Sequence, residues 1–201
     1  MPDCAIDPVL VGAEVILALQ SIVSRSLAPR DWGVVSVTEV LTDGARNVIP
    51  SMFTIKGDCR AMSTDTQQLI ERRMREVVAG ICSAHGAEGT VEYRNDFVVT
   101  VNSSAETDAA IAAARKVAGE LAVDPDCPPC GASEDFARML QVIPGCYMLI
   151  GNGLDGHCGT TLHNPHYDLN DDILAVGADY WISLVEGQLP TGQQAGEAIR
   201  E

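Results

Sequence analysis
The stretch "TLHNPHYDLNDD", Thr161 to Asp172, sets His163 and His166 three residues apart with three aspartates close behind. A neutral imidazole on a loop, here beside Asn164 and Pro165, can present a ring nitrogen to zinc or manganese. Most loop histidines are nonetheless plain surface residues, so ring type alone does not make His163 a ligand. Asp168 and Asp171 read better as residues that fix the loop and cap a following helix, because "LNDDIL" is a ready helix start. His157 falls in a loop of its own.

Two further groups have the residue types for chemistry. Glu134 and Asp135 stand side by side in "GASEDF". Paired carboxylates perform acid–base catalysis when their surroundings push their pKa values apart. The same pair in the first turn of a short helix capped by Ser133 is an ordinary complement to the helix dipole. "CPPC", Cys127 to Cys130, has the spacing of a redox pair or half a zinc knuckle. A structural zinc needs a second such pair, and only His157 and Cys158 offer a substitute. A proline-stiffened loop is the simpler reading. Most of the other cysteines, out of seven in all, lie in apolar runs where a thiol behaves as a small hydrophobe.

Those groups must be positioned by the elements around them. Asp7 and Pro8 suit the N-cap and first turn of a helix through "VLVGAEVILALQSIVSRSL", with Val9, Ala13, Ile16 and Val23 at helical spacing. "GVVSVTEVL", Gly33 to Leu41, is rich in β-branched residues and predicts a strand. "SMFTIKGDCR" alternates, placing Phe53, Ile55 and Cys59 on one face and Thr54, Lys56, Asp58 and Arg60 on the other. The loop between them turns at Gly44. A helix follows from Thr64 to His85 with Ile70, Met74, Val77 and Ile81 as its stripe, then a strand over "GTVEYRNDFVVTV". Beyond Asn102 come an Ala-rich helix with Ile111, Ala114, Ala118 and Leu121 on one face and a buried strand "CYMLIG". A last helix spans Asp171 to Leu189.

The first hundred residues thus run helix, strand, strand, helix, strand. A ferredoxin-like layer has that order with one more strand in front, and that strand is central. Its absence would leave two strand edges without partners, an aggregation liability.

Composition narrows the function. The chain has 201 residues, is 46% hydrophobic and only 4% aromatic, so its core is built of Val, Ile, Leu and Ala. A formal net charge of −15 repels phosphate and argues against nucleic acid or an anionic membrane as partner. No apolar run reaches the roughly 18 residues of a membrane span. No basic segment followed by an apolar one opens the chain. The reading is a cytoplasmic protein.

Three stretches together, "RNVIP" after a strand, "GASEDFARML" opening a short helix, and "IGNG" followed by "LHNPHYDLNDD", resemble the C-terminal half of a bacterial amidohydrolase. The family is that of hippurate hydrolase, aminoacylase and auxin-conjugate hydrolase, among the co-catalytic metallopeptidases. The resemblance runs from about Pro2 to Pro190. It implies an α/β fold with a ferredoxin-like lid that dimerises, here lacking its first strand, plus the C-terminal part of a metallopeptidase catalytic domain. The implied boundaries are residues 1–98 for the lid, 99–190 for the catalytic segment and 191–201 for a disordered tail. In such enzymes the N-terminal half brings most metal ligands and the catalytic glutamate, so this sequence is expected to begin inside the lid.

The resemblance also implies roles. His163 matches the C-terminal histidine ligand of a zinc or manganese centre, whereas His166 stands where relatives carry Arg. Glu134 and Asp135 would line the substrate pocket. Asn47 would reach into the partner subunit's active site and hydrogen-bond the developing oxyanion. Arg60 would hold a substrate carboxylate, with a solvated ion pair to a nearby acid as its plain alternative. The complete enzyme would use a metal-bridged hydroxide and a glutamate proton shuttle to hydrolyse the amide of a small N-acyl amino acid. It would work as a homodimer. The chain offers one ligand by motif where catalytic zinc takes three. Two readings therefore stand. One is an amidohydrolase by descent, inactive as this portion; the other is a non-catalytic dimerisation module.

Overall fold
The computed structural model describes residues 1–189. Their contacts divide into two units, Met1–Val99 with Pro129–Glu134, and Thr100–Pro128 with the described residues from Asp135 onward. The tail expected over 191–201 lies outside the described residues.

The first unit starts with helix α1, Pro8–Ser21. The Asp7 carboxylate accepts the Val9 N–H at 2.9 Å, and Pro8 occupies a position whose N–H would be unpaired anyway. A π-helical turn, Ile22–Ser26, continues it. Strands β1, Gly33–Thr42, and β2, Phe53–Ala61, pair antiparallel. Their register breaks between Val37 and Glu39, leaving Thr38 as the extra residue of a bulge opposite Gly57. Helix α2, Thr64–Ala84, is capped by Ser63, whose hydroxyl accepts the Thr66 N–H at 3.1 Å.

One face of the hairpin meets both helices. Val15, Leu19, Ile22, Val35 and Ile70 form the buried centre, with Ile55, Cys59, Met74, Val77 and Ile81 packed against it. Ile22 and Ile70 are fully buried, and truncating such a side chain to alanine typically costs about 2–5 kcal/mol. Gly12 lets α1 approach the hairpin, since a Cβ there would sit 2.2 Å from the Phe53 ring.

Two expectations fail in this unit. The buried face of α1 is Val11, Gly12, Val15 and Leu19, while Val9 and Ala13 are exposed. The helix is apolar on nearly every side, so spacing alone could not pick the inner stripe. For the same reason Pro8–Ser26, despite Glu14 and Arg25, is by length and composition apolar enough to cross a membrane, against the expectation that no stretch reaches that length. Val15, Leu19 and Ile22 of this segment pack into the core, but only 28% of the apolar window is buried. Second, "GTVEYRNDFVVTV" forms no strand. Among the described residues only β1 and β2 pair as a sheet. The segment is tied to α2 instead, with Arg75 Nη1 donating to the Val91 carbonyl at 2.7 Å and Gly89 lying against Val78 and Cys82. A strand needs a ladder partner, whatever its propensity.

The second unit is built on α3, Ser104–Ala118, packed against α5, Ile173–Gln188. Ala110, Ala113 and Ala114 meet Tyr180, small residues giving room to an aromatic. Gly119, at φ 88°, ends α3, so Leu121 leaves the predicted stripe and is fully exposed. "CYMLIG" is not a strand and is buried only in part: Cys146 and Met148 pack against this core, while Leu149 is 66% and Ile150 45% exposed. Asn102 holds its start, accepting the Tyr147 N–H at 2.8 Å and donating to the Tyr147 carbonyl at 3.1 Å. The short helix α4 is Phe136–Leu140. Its N-cap is Asp135, without a side-chain bond, so Ser133 is not its cap and Glu134 precedes it.

Candidate functional site
Asn47 sits in the loop joining β1 to β2. The Ala45 N–H donates to the Val48 carbonyl at 3.3 Å and the Val48 N–H to the Ala45 carbonyl at 3.0 Å, so Arg46 and Asn47 occupy the centre of a tight turn. The loop edges an open depression of about 470 Å³. Gly44 is favoured by crowding and not by a left-handed φ, because a Cβ there would lie 3.1 Å from the Val48 carbonyl oxygen, a tight contact.

Arg60 lies at the opposite end of β2, paired in register with Val34. Seven residues of strand from Phe53 span ~23 Å, so one copy of the unit does not bring Arg60 and Asn47 to a common ligand. Arg60 Nε pairs with the Asp58 carboxylate at 2.9 Å, and Nη1 donates to the Gly131 carbonyl. Glu134 is half-buried and Asp135 exposed.

Cys59 and Tyr93 share a side-chain hydrogen bond, and burial pushes both the thiol and the phenol up in pKa. No two of the seven cysteines form a disulfide. Cys127 and Cys130 are exposed in a loop. Burial, then the charges of Asp168, Asp172 and Asp171, raise the Cys158 thiol, making it a poor thiolate ligand as it stands.

His163 is exposed and is the one non-glycine at positive φ, 64°, among the described residues. A residue with a Cβ pays for that conformation, and such strain collects where a side chain has a task. Asn164 shapes the turn that follows, its Oδ1 accepting the His166 N–H at 2.9 Å and its carbonyl the Tyr167 N–H at 3.0 Å. Asn152 fastens the whole loop. Its Nδ2 donates to the carbonyls of Cys158 and Asp168, and its Oδ1 accepts the Asn170 N–H, each at 2.8 Å. Asn170 in turn takes the Asp172 N–H at 3.1 Å, so this amide holds the entry to α5 where Asp171 was expected to. Sequence reasoning passed over Asn152 and Asp43, whose roles depend on partners remote in the chain. The only advance signal was that each is an Asn or Asp next to a glycine.

Among the described residues no three of His, Cys, Asp and Glu are grouped to hold a metal. Catalytic zinc takes three protein ligands, so a complete metal centre does not fit the described residues alone.

Residues 6–187 match the model of Peptidase family M20/M25/M40. The chain belongs to that family. It is 33% identical over 183 residues to the hippurate hydrolase of Campylobacter jejuni, covering 91% of this chain and 47% of that protein. It is also 33% identical over 188 residues to IAA-amino acid hydrolase ILR1-like 2 of Arabidopsis thaliana, 92% of this chain and 42% of the relative. The crystal structure of Bacillus subtilis YxeP, described as a dinuclear metal-binding peptidase of the M20 family, superposes with a TM-score of 0.71 at 26% identity. That match covers 89% of this chain and 45% of YxeP. This M20 chain therefore has the α/β fold of its family and spans about half the length of the relatives it matches.

Proposed function
We propose that this M20 chain is the lid and C-terminal portion of a cytoplasmic amidohydrolase that cleaves the amide of N-acyl amino acids, and that it is inactive by itself. The observation that carries the reading is His163, an exposed imidazole on a strained backbone in a fastened loop, with no set of co-ligands around it among the described residues. Its ring would be one ligand of a zinc or manganese centre whose other ligands come from elsewhere. The bond-breaking step is assigned to none of the described residues.

The other roles follow the same reading. Asn47, presented at a turn, would donate its amide to a developing oxyanion in a partner subunit. Arg60 would exchange Asp58 for a substrate carboxylate, a contact of the same geometry. Glu134 and Asp135 would line the pocket. The ferredoxin-like lid lacking its first strand is supported by the β1–β2 hairpin under α1 and α2, and by residues 89–101 after α2, which join no sheet among the described residues. A lid of residues 1–98 and a catalytic segment of 99–190 are supported by the contact break after Val99, although Pro129–Glu134 group with the first unit.

The purified chain should hold zinc or manganese weakly and leave hippurate intact. Adding the N-terminal half of an M20 relative in trans should produce turnover. Stoichiometric metal and hydrolysis by the unaided chain would overturn the reading.

The second reading, a dimerisation module without catalysis, is favoured by the apolar side chains that α1 and β1 leave outward: Leu10, Leu17, Val40 and Leu41. Both readings expect a two-fold dimer. Sedimentation should show association at micromolar concentration, and a monomer at high concentration would sink that part. Hydrolysis on complementation separates the two.

A further inference from the structure
We propose that Asp43 is a positioning residue, a clasp that closes the β1–β2 loop and sets the turn carrying Arg46 and Asn47. Its carboxylate reaches across the loop to the residues that re-enter β2. Oδ1 accepts the Ser51 N–H at 2.9 Å and the Met52 N–H at 3.0 Å, and Oδ2 accepts the Ser51 hydroxyl. One side chain therefore satisfies two backbone donors that the ladder, ending at Thr42 and Phe53, no longer serves. The Gly44 N–H is taken by Thr42 Oγ1 at 3.2 Å on the other side. Between these fixings the chain has only the Ala45–Val48 turn to make.

The clasp is charge-assisted, and hydrogen bonds of that kind are shorter and stronger than neutral ones. The Ser51 hydroxyl, then the Met52 N–H, hold the Asp43 carboxyl below its ordinary range. An exposed ten-residue loop without such a fixing would sample many conformations, and the Asn47 amide would be delivered to a ligand only part of the time. With it, Arg46 and Asn47 are offered together at the rim of the depression lined by residues 44–50. Any catalytic consequence rests on the proposed role of Asn47; the clasp itself does not.

Two measurements test this separately. Hydrogen exchange on the full chain should show the Ser51 and Met52 amides protected. Asp43→Ala should speed their exchange by about tenfold or more, Ser51→Ala by less, and Asp43→Asn should keep most of the protection because its Oδ1 still accepts both N–H groups. Unchanged exchange in Asp43→Ala, with the β2 amides still protected, would overturn the clasp. In the complemented enzyme Asp43→Ala should lower kcat with little change in KM, Asp43→Asn should recover most of it, and Asp43→Ala should cost nothing more once Asn47→Ala is present. Additive losses would show that Asp43 does not act through Asn47. If Asn47→Ala alone is silent, the oxyanion role of Asn47 fails while the exchange result still decides the clasp.

Discussion
His163→Ala should abolish the hydrolysis that complementation with an M20 N-terminal half produces, while His166→Ala should leave most of it. Losing even a supporting partner of a metal ligand typically costs about 10–100-fold, so losing the ligand itself should cost more than about a hundredfold. The contrast between neighbours gives the test its force. Both imidazoles are exposed on the same loop, so a general loss of charge or folding would affect them alike. Only His163 sits at positive φ. The His166 backbone is held by Asn164, a contact that alanine keeps because it uses the N–H. Measurement of hippurate hydrolysis and of bound metal in the two variants decides it. Equal losses would assign the loop a structural role instead.

Gly57→Ala should strongly destabilise the first unit. A Cβ at Gly57 would lie 2.1 Å from the Ser36 carbonyl oxygen and 3.3 Å from the Val37 Cα. Those are backbone atoms at the bulge, and they cannot rotate away as a side chain would. Relief requires the two strands to part where Val37 faces Gly57. Overpacking of ordinary cores costs about 1–3 kcal/mol, and a clash with a fixed ladder belongs at or above the top of that range. Against a total stability of about 5–15 kcal/mol for a typical domain, the urea midpoint should fall steeply. Gly80→Ala is the control. Nothing lies within 4 Å of a Cβ there, and alanine in a helix interior should gain up to about 1 kcal/mol. Similar behaviour of the two variants would contradict the bulge geometry.

How far the sequence could be read follows from where each signal resides. Helix α2 is amphipathic, so its spacing named Ile70, Met74, Val77 and Ile81 as the inner stripe, and those residues pack the core. The Asp7–Pro8 start of α1 was equally plain because a cap is local chemistry. The inner face of α1 was not legible, since a helix apolar all round has no preferred side until its neighbours are known. Residues 89–101 and "CYMLIG" carry strand propensity without a strand, because pairing belongs to the partner as much as to the segment. At the site, the motif around His163 carried the family, but the residues that hold its loop were silent. Asn152 acts on Cys158, Asp168 and Asn170, and Asp43 on Ser51 and Met52, and no local pattern announces such a reach.

Asn152 is followed by Gly153, the neighbour that least hinders attack of a backbone nitrogen on a side-chain amide. That attack expels ammonia and closes a cyclic imide, which water then opens to leave a carboxylate. Folded, the amide is pinned at both ends and its carbonyl carbon is held in place. Each opening of the loop releases it to react. The product has no N–H to offer, yet it would face the carbonyl oxygens of Cys158 and Asp168, and two acceptors meeting a carboxylate repel it. Ageing of the protein in solution should therefore be one-way at this position. The accumulation of the acidic form would act as a chemical clock that counts how often the loop bearing His163 has come undone.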